Sequence, residues 1–467
     1  MNKEIKLRPY QEAADNAVKN FLDQEIYKRA VIVAPTGSGK SILIAKAAEK
    51  VKTPVLILQP SKELLEQNYE KYTSNGFEAS IYSASLKVKE IGHVTFATPK
   101  SIVASVDKLV TLGVKTAIID ECHLQTKSGS INHSIIRTLE GKNNKNKVKT
   151  IGYTATPVIL RNTIYGAQLS LLNRTHDSIF QDIIHVTQIK DIKDEFWTPL
   201  KYQIYQRDES SLILNSNGSD YTEKSLERFF YENNFLEEIP KKVKELSDRK
   251  LIVIFAPSVV AAQALGKLIP DSAVFYSGMD MKVREQQLNS IKKGTTRTAI
   301  NVNILAVGWD ESKVDTEILL RPTNSIGIYY QHIGRAVRLP KPGETKLESL
   351  ILDYSGNVNR FGPVEDISFE KDPVHGWGMF NGDRLLTGYP MNAPPKFKST
   401  RNLEQGTIKL WFGRYINHKV DELPRDYIDW LLNKSGWEWK GEKMLLLKSE
   451  LLRVYTGQLS DNAFLKK

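Results

Sequence analysis

Short apolar runs alternating with amphipathic stretches, twice over, constrain this chain more than any other feature. Between Leu7 and Pro157 the runs AVIVAP, VLILQP, HVTFATP, TAIID and KTIGYTATP are separated by stretches such as SILIAKAAEKV and KELLEQNYEKY. Strands of that kind, alternating with helices, imply a parallel sheet covered by helices on both faces. The pattern becomes less regular from about Val158 to Pro199. A polar segment, DESSLILNSNGSDYTEKS, then leads into one amphipathic helix ending near Ser247. Alternation restarts with KLIVIFAPS, SAVFYSG, RTAINVNIL, TEILLRP and ESLILDYS, to about Ser355. The expected fold is α/β: two tandem doubly wound parallel-sheet lobes, 1–199 with its connector and 200–355, then a small C-terminal accessory domain over 356–467. Ligands of open α/β sheets bind at crevices, so the cleft between the lobes is the expected site.

Bulk properties narrow the class. At 467 residues the chain exceeds what one hydrophobic core usually serves. The N-terminus is charged and amphipathic, without the apolar core of a signal peptide, and no apolar run is long enough to span a bilayer. A cytoplasmic protein without membrane contact is expected. The single cysteine, Cys122, excludes an internal disulfide and all-cysteine zinc or iron–sulfur centres, leaving oxygen or nitrogen ligands for any metal. A formal charge of +11 suits a polyanionic partner but equally a soluble basic protein. Five of the seven tryptophans, Trp377, Trp411, Trp430, Trp437 and Trp439, lie beyond Gly356, where a core role is favoured over base stacking.

The chemistry is concentrated at strand ends. AVIVAP runs into TGSGKS and then a helix, the context of a phosphate-binding loop. Thr36, Gly37, Ser38 and Gly39 would wrap phosphates with backbone N–H groups, Lys40 would pair with the β- and γ-phosphates, and the Ser41 hydroxyl would ligate Mg²⁺. Ala34 stands where the strict pattern has glycine. About eighty residues on, TAIID ends in Asp120-Glu121-Cys122-His123. Asp120 is placed to hold Mg²⁺ and Glu121 to polarise the attacking water. His123 is either a relay toward the strand or a packing histidine.

With these motifs the chain resembles a superfamily 2 helicase of the DEAH/DECH type from about Leu7 to Ser355. That resemblance implies RecA-like lobes, ATP and Mg²⁺ as cofactors, and a nucleic-acid-stimulated ATPase. In LRPYQ, Gln11 would read the adenine edge and Arg8 would lie over the purine. LQPSKELLEQ and FATPKS resemble segments that grip the nucleic-acid backbone, through Pro60, Ser61 and Lys62 and through Thr98, Pro99 and Lys100. Thr154 and Thr156 of TATP would couple hydrolysis to strand contacts. In the second lobe Ser277 and Gly278 of YSGMDMKVRE would touch the strand, and Gly308 and Asp310 would face the nucleotide. QHIGRAVR resembles the arginine-finger helix, with Gln331, Arg335 and Arg338 on one face at spacings of four and three. Each element has an ordinary structural explanation alone, such as Asp310 as a turn former; the ordered set is the specific signal.

The opening motif and the pair GWD and QHIGRAVR are most similar to phage and bacterial DNA helicases of the UvsW and RecG kind. That similarity implies a monomer in a bacterial cytoplasm, or in the host's for a phage protein. It would act on single-stranded or branched DNA, forks and Holliday junctions, in replication, recombination or repair. An RNA helicase, a duplex translocase of a restriction system with a nuclease partner, and a non-catalytic nucleic-acid scaffold are the alternatives; intact Lys40, Ser41, Asp120, Glu121, Arg335 and Arg338 oppose the last. Near the C-terminus, WFGRYINHKVDELPRDYIDWLL resembles a short module of nucleic-acid enzymes through Phe412, Gly413, Pro424, Tyr427 and Trp430. Ile416, Asn417 and Val420 interrupt its basic run.

Overall fold

Among the described residues ten strands fall in the first lobe: β1 (Arg29–Val33), β2 (Val55–Leu58), β3 (Ser80–Ser83), β4 (Val88–Lys89), β5 (Val94–Ala97), β6 (Thr116–Asp120), β7 (Lys149–Thr154), β8 (Val158–Thr163), β9 (Gly166–Leu171) and β10 (Asp182–Val186). Eight form one sheet in the order β10-β1-β7-β6-β2-β5-β3-β4, parallel except for β4 against β3, while β8 and β9 make a separate antiparallel hairpin. This computed structural model describes residues 6–125, 129–163, 166–173, 179–216, 220–302, 309, 311–372, 376–388, 396–397, 410, 415–416, 418–434, 447 and 451.

Every residue of β2, β5, β6 and β7 is buried, because helices cover both faces and leave the strands no polar side. Helix α1 (Pro9–Asp23) starts on a proline, whose missing N–H costs nothing in a first turn, and buries Ala14, Val18 and Phe21 at helical spacing. Helix α2 (Lys40–Glu49) follows the phosphate-binding loop and packs through Leu43, Ile44 and Ala47. Ser61 caps helix α3 (Lys62–Ser74) by accepting from the Leu64 N–H. With parallel strands the ends of β1, β2, β5, β6 and β7 emerge on one edge, which is how residues distant in sequence share a site.

The second lobe is a six-stranded parallel sheet: β11 (Leu200–Ile204), β12 (Ile252–Phe255), β13 (Ser272–Phe275), β14 (Thr298–Asn301), β15 (Thr316–Leu319) and β16 (Ser349–Asp353), in the order β11-β16-β15-β12-β14-β13. The single helix expected before Ser247 is two, Glu223–Glu232 and Phe235–Glu245. Asn234 breaks it at φ +57, a left-handed conformation that asparagine tolerates better than most residues.

By its contacts the chain divides into two units. Met1–Ser368 with Leu386–Pro394, containing both lobes, is one; Phe369–Leu385 with Pro395–Lys467 is the other. In the second, Gly376–Asn381, Arg384–Leu385 and Lys396–Phe397 pair antiparallel. Leu410, Val420, Leu423, Ile428 and Leu431 form its small core, beside which the Tyr427 and Trp430 rings stack at 5.7 Å. Phe412 and Gly413 lie outside the described residues. Among the described residues no helix is long and apolar enough to cross a membrane.

Candidate functional site

Between β1 and α2 the chain must turn tightly enough to aim several N–H groups at one point. Gly37 and Gly39 supply the turn at φ +80 and +81. A Cβ on Gly39 would also lie 2.5 Å from Gln11 Nε2, so that side chain would have to shift. Gln11 is buried, donating to the Ser38 carbonyl at 2.8 Å and accepting from the Arg8 N–H at 3.0 Å. The Arg8 guanidinium lies 3.7 Å over the Phe196 ring. Lys40 Nζ donates to the Ala34 carbonyl at 3.3 Å and stands 3.6 Å from Glu121.

Strand β6 delivers the carboxylates two strands away from the loop, with β7 between. Asp120 is buried and accepts from the Glu121 N–H at 2.9 Å and from Asn68 Nδ2 at 3.0 Å. Burial, then the neighbouring Glu121 charge, push its carboxyl up to about 7. Burial would also raise Glu121, but nearby positive charge, led by Lys40 and joined by Arg335, outweighs it and holds Glu121 below the usual carboxylate range. Of the adjacent pair, Glu121 is therefore the first to ionise. It sits at φ +45, a conformation that a long side chain rarely accepts and that concentrates at functional sites.

A polar relay leads from here to the second lobe. His123 Nε2 lies 3.2 Å from the Gln331 amide nitrogen, which can only donate, so Nε2 accepts and Nδ1 carries the proton. Nδ1 then donates to Thr154 Oγ1 at 2.7 Å, and that oxygen accepts from the Thr156 N–H at 3.0 Å. The relay needs a neutral ring, and burial of His123 lowers its pKa accordingly.

The arginines differ from expectation in one respect. Helix Ile326–Ile333 ends before Gly334, so Gln331 is helical, Arg335 lies in the turn beyond and Arg338 just past it. That turn tightens through Arg335 N to the His332 carbonyl and Ala336 N to the Ile333 carbonyl, each 3.0 Å. Beyond these bonds tertiary donors hold the chain: Lys346 donates to the Ala336 and Arg338 carbonyls, and Thr198 to those of Val337 and Arg338. Arg335 nonetheless reaches the Glu121 field, donating on its way to the Trp309 carbonyl at 2.5 Å. Burial pushes Arg338 down to about 10. Gly308 and Asp310 lie outside the described residues.

The expected strand-contact residues sit at other strand ends on the same edges. Pro60, Ser61 and Lys62 follow β2, Thr98, Pro99 and Lys100 follow β5, and Ser277 and Gly278 follow β13. Pro99 is buried, whereas Lys100, Ser277 and Gly278 are exposed.

Within one cleft of ≈ 370 Å³ the structure gathers Arg8, Lys40, Lys71, Arg335, Arg338 and Lys341 around Asp120 and Glu121. Six cations against two carboxylates suit a polyphosphate with a divalent ion. The Ser41 hydroxyl donates to Asn68 Oδ1 at 2.6 Å while Asn68 also holds Asp120, so one amide ties both hard oxygen donors together. Such a pair fits Mg²⁺, which takes few protein ligands and completes its shell with phosphate oxygens and water. Among the described residues no cluster of three or more His, Cys, Asp or Glu side chains suits a softer metal.

Sequence reasoning missed Asn68, Lys71, Phe196, Trp197 and Tyr330. Tyr330 places its hydroxyl 3.2 Å from the Thr36 N–H across the cleft. Only α3 carried a usable signal: Leu64, Gln67, Asn68 and Lys71 fall at spacings of three and four, so a helix with Leu64 in the cleft puts the others there too.

A phosphate loop and paired carboxylates on one parallel sheet, faced by arginines from another, define an ATPase whose site is divided between two RecA-like lobes. Residues 4–159 match the family model of the type III restriction enzyme res subunit, and 234–340 match that of the helicase conserved C-terminal domain. The two matches together span more than half of the chain, which belongs to helicase superfamily 2. It is 24% identical over 384 residues to the Saccharomyces cerevisiae protein titled "Putative ATP-dependent helicase IRC3", covering 75% of this chain and 51% of that one. It thus spans about half the length of that relative. A "51.5 kDa protein" of a Lactococcus phage is 24% identical over 364 residues, covering 76% of this chain and 72% of its own. The type ISP restriction-modification enzyme LlaBIII, solved bound to DNA, superposes with a TM-score of 0.51 at 17% identity, over 76% of this chain and 28% of that one.

Proposed function

We propose that this chain is an ATP-driven DNA motor, gripping the sugar-phosphate backbone and remodelling branched DNA such as forks and four-way junctions. The observation that carries the motor reading is the split site. Lys40, Ser41, Asp120 and Glu121 stand in one lobe, Gln331, Arg335 and Arg338 in the other, linked through His123. Lys40 and Ser41 serve the phosphates and Mg²⁺, Glu121 the attacking water, and the arginines the charge that develops on the γ-phosphate. Gln11 and Arg8 serve the adenine. Hydrolysis then requires the lobes to be together, and product release lets them part. Pro60, Ser61, Lys62, Thr98, Lys100, Ser277 and Gly278 hold the strand, with Thr154 and Thr156 reporting its presence; Pro99, being buried, starts the helix Pro99–Ile102 rather than meeting the strand.

DNA is preferred over RNA because the first lobe matches a restriction-enzyme motor model. The same match favours a second reading, translocation along duplex DNA without unwinding. One experiment separates these readings: ATPase stimulation and strand separation across single strands, duplexes, forks and four-way junctions, in DNA and RNA. Branched-DNA remodelling requires greatest stimulation and product release on forks or junctions. Stimulation by duplex without strand separation gives the translocase instead, and stimulation by RNA alone overturns both.

A further inference from the structure

The connector contributes two consecutive side chains that touch opposite halves of the ATPase site. Trp197 Nε1 donates to the Thr36 carbonyl of the phosphate loop at 2.8 Å. The indole is buried and lies against Gly37, where a Cβ would stand 3.2 Å from the same nitrogen. The next residue, Thr198, is buried too. Its N–H donates to the Val337 carbonyl and its Oγ1 to the Arg338 carbonyl, each at 2.8 Å.

We propose that Trp197 and Thr198 form a clip that positions the phosphate loop and the arginine turn relative to each other. Adjacent Cα atoms are fixed about 3.8 Å apart, so these contacts leave little freedom between Thr36 and Arg338. The backbone at the clip is stiff. Trp197 is extended at φ −119, ψ 143, and Thr198 precedes Pro199, which biases it to extended conformations. The Pro199 carbonyl accepts from the Ser349 N–H at 2.8 Å at the start of β16, anchoring the clip to the second-lobe sheet. A shift of the loop on losing phosphate is thereby transmitted through two residues to the Arg338 backbone. The reverse holds as well: repositioning the arginine turn moves the Thr36 carbonyl, whose own N–H is held from the second lobe by Tyr330.

Both residues are positioning residues, touching the loop and turn backbones. The test uses the full chain with Trp197→Phe, which keeps a ring and removes the donor, Thr198→Val, which keeps volume and removes the hydroxyl, Thr198→Ser as rescue, and the Phe/Val double variant. Steady-state ATPase with saturating single-stranded DNA, titration of a fluorescent ADP analogue and thermal unfolding are measured for each. Losing one hydrogen bond at either end is expected to lower stimulated kcat ~five- to tenfold. ADP affinity should change less than about twofold, since uniform nucleotide binding is untouched, with the unfolding midpoint preserved. Thr198→Ser should behave as wild type. The double variant should be no slower than the slower single one, because opening either end opens the clip. Unchanged kcat in both single variants, losses that follow ADP affinity or the unfolding midpoint, fully additive losses, or failure of Thr198→Ser to rescue would overturn the proposal. Should Thr198→Val fail to fold, Trp197→Phe and Thr198→Ser decide it by the same criteria.

Discussion

Glu121 is the residue on which the largest local costs converge. Its backbone is held at φ +45 and its carboxylate is kept ionised beside a second carboxyl by Lys40 at 3.6 Å. A side chain kept there for packing alone would relax to φ below zero; the strain is accounted for by aiming a carboxylate into the cleft. Glu121→Gln preserves shape and removes the base, so stimulated hydrolysis should fall by about two to four orders of magnitude. Binding of a labelled strand should stay within a few-fold of wild type, because Glu121 touches none of the exposed strand-contact positions. Lys40→Ala should give the same pattern by removing phosphate charge. Wild-type turnover in purified Glu121→Gln protein would overturn the assignment.

Helix α3 shows at the scale of an element what was legible and what was not. Its existence and length follow from periodicity and from the Ser61 cap, as β1, β6 and β7 follow from their apolar runs. Its function is split along its length: the first turn follows the strand-contact segment, and Asn68, two turns in, joins Ser41 to Asp120. Nothing in the sequence marks Asn68, because its partners lie 27 and 52 positions away and one neutral amide leaves no motif. The arginine turn was misread as helix for a related reason. Spacing carries Gln331, Arg335 and Arg338 onto one helical face, whereas past Ile333 the chain tightens into a three-residue turn and is then held by Thr198, 140 positions away from Arg338. The break at Asn234 was hidden because both flanking helices keep a helical apolar period. Asn68→Ala leaves the Ser41 hydroxyl and a buried Asp120 oxygen without that partner. Residues that orient metal ligands typically carry about 10- to 100-fold in metal affinity. The Mg²⁺ concentration for half-maximal ATPase should rise by about tenfold, with Mn²⁺ binding in the ADP complex, followed by electron paramagnetic resonance, weakened in parallel. An unchanged metal requirement would reduce Asn68 to a packing residue.

Across the whole two-lobe unit the cleft is bridged by few direct polar contacts of very different exposure. Tyr330 with Thr36 and Gln331 with His123 are at the nucleotide. Arg284 with Glu63, at 3.1 Å, lies instead between the helices that follow two proposed strand-contact segments, one in each lobe. Both side chains are partly exposed, at 21% and 39%, so the pair contributes no more than about 1 kcal/mol to closure. Its greater consequence is electrostatic: Glu63 neutralises a cation on the face where a phosphate backbone would pass. A strand bound there would compete with Glu63 for Arg284, and the lobes would lose one tie as they gain a ligand. Glu63→Gln should therefore strengthen nucleotide-free binding of a labelled single strand by about two- to fivefold at low salt. The gain should shrink as ionic strength rises, because exposed charges beyond about 8 Å are screened at physiological salt. Fluorescence anisotropy at low and high salt measures both effects. If Glu63→Gln binds no tighter at low salt, Arg284 does not meet the strand and the ion pair is only a hinge contact.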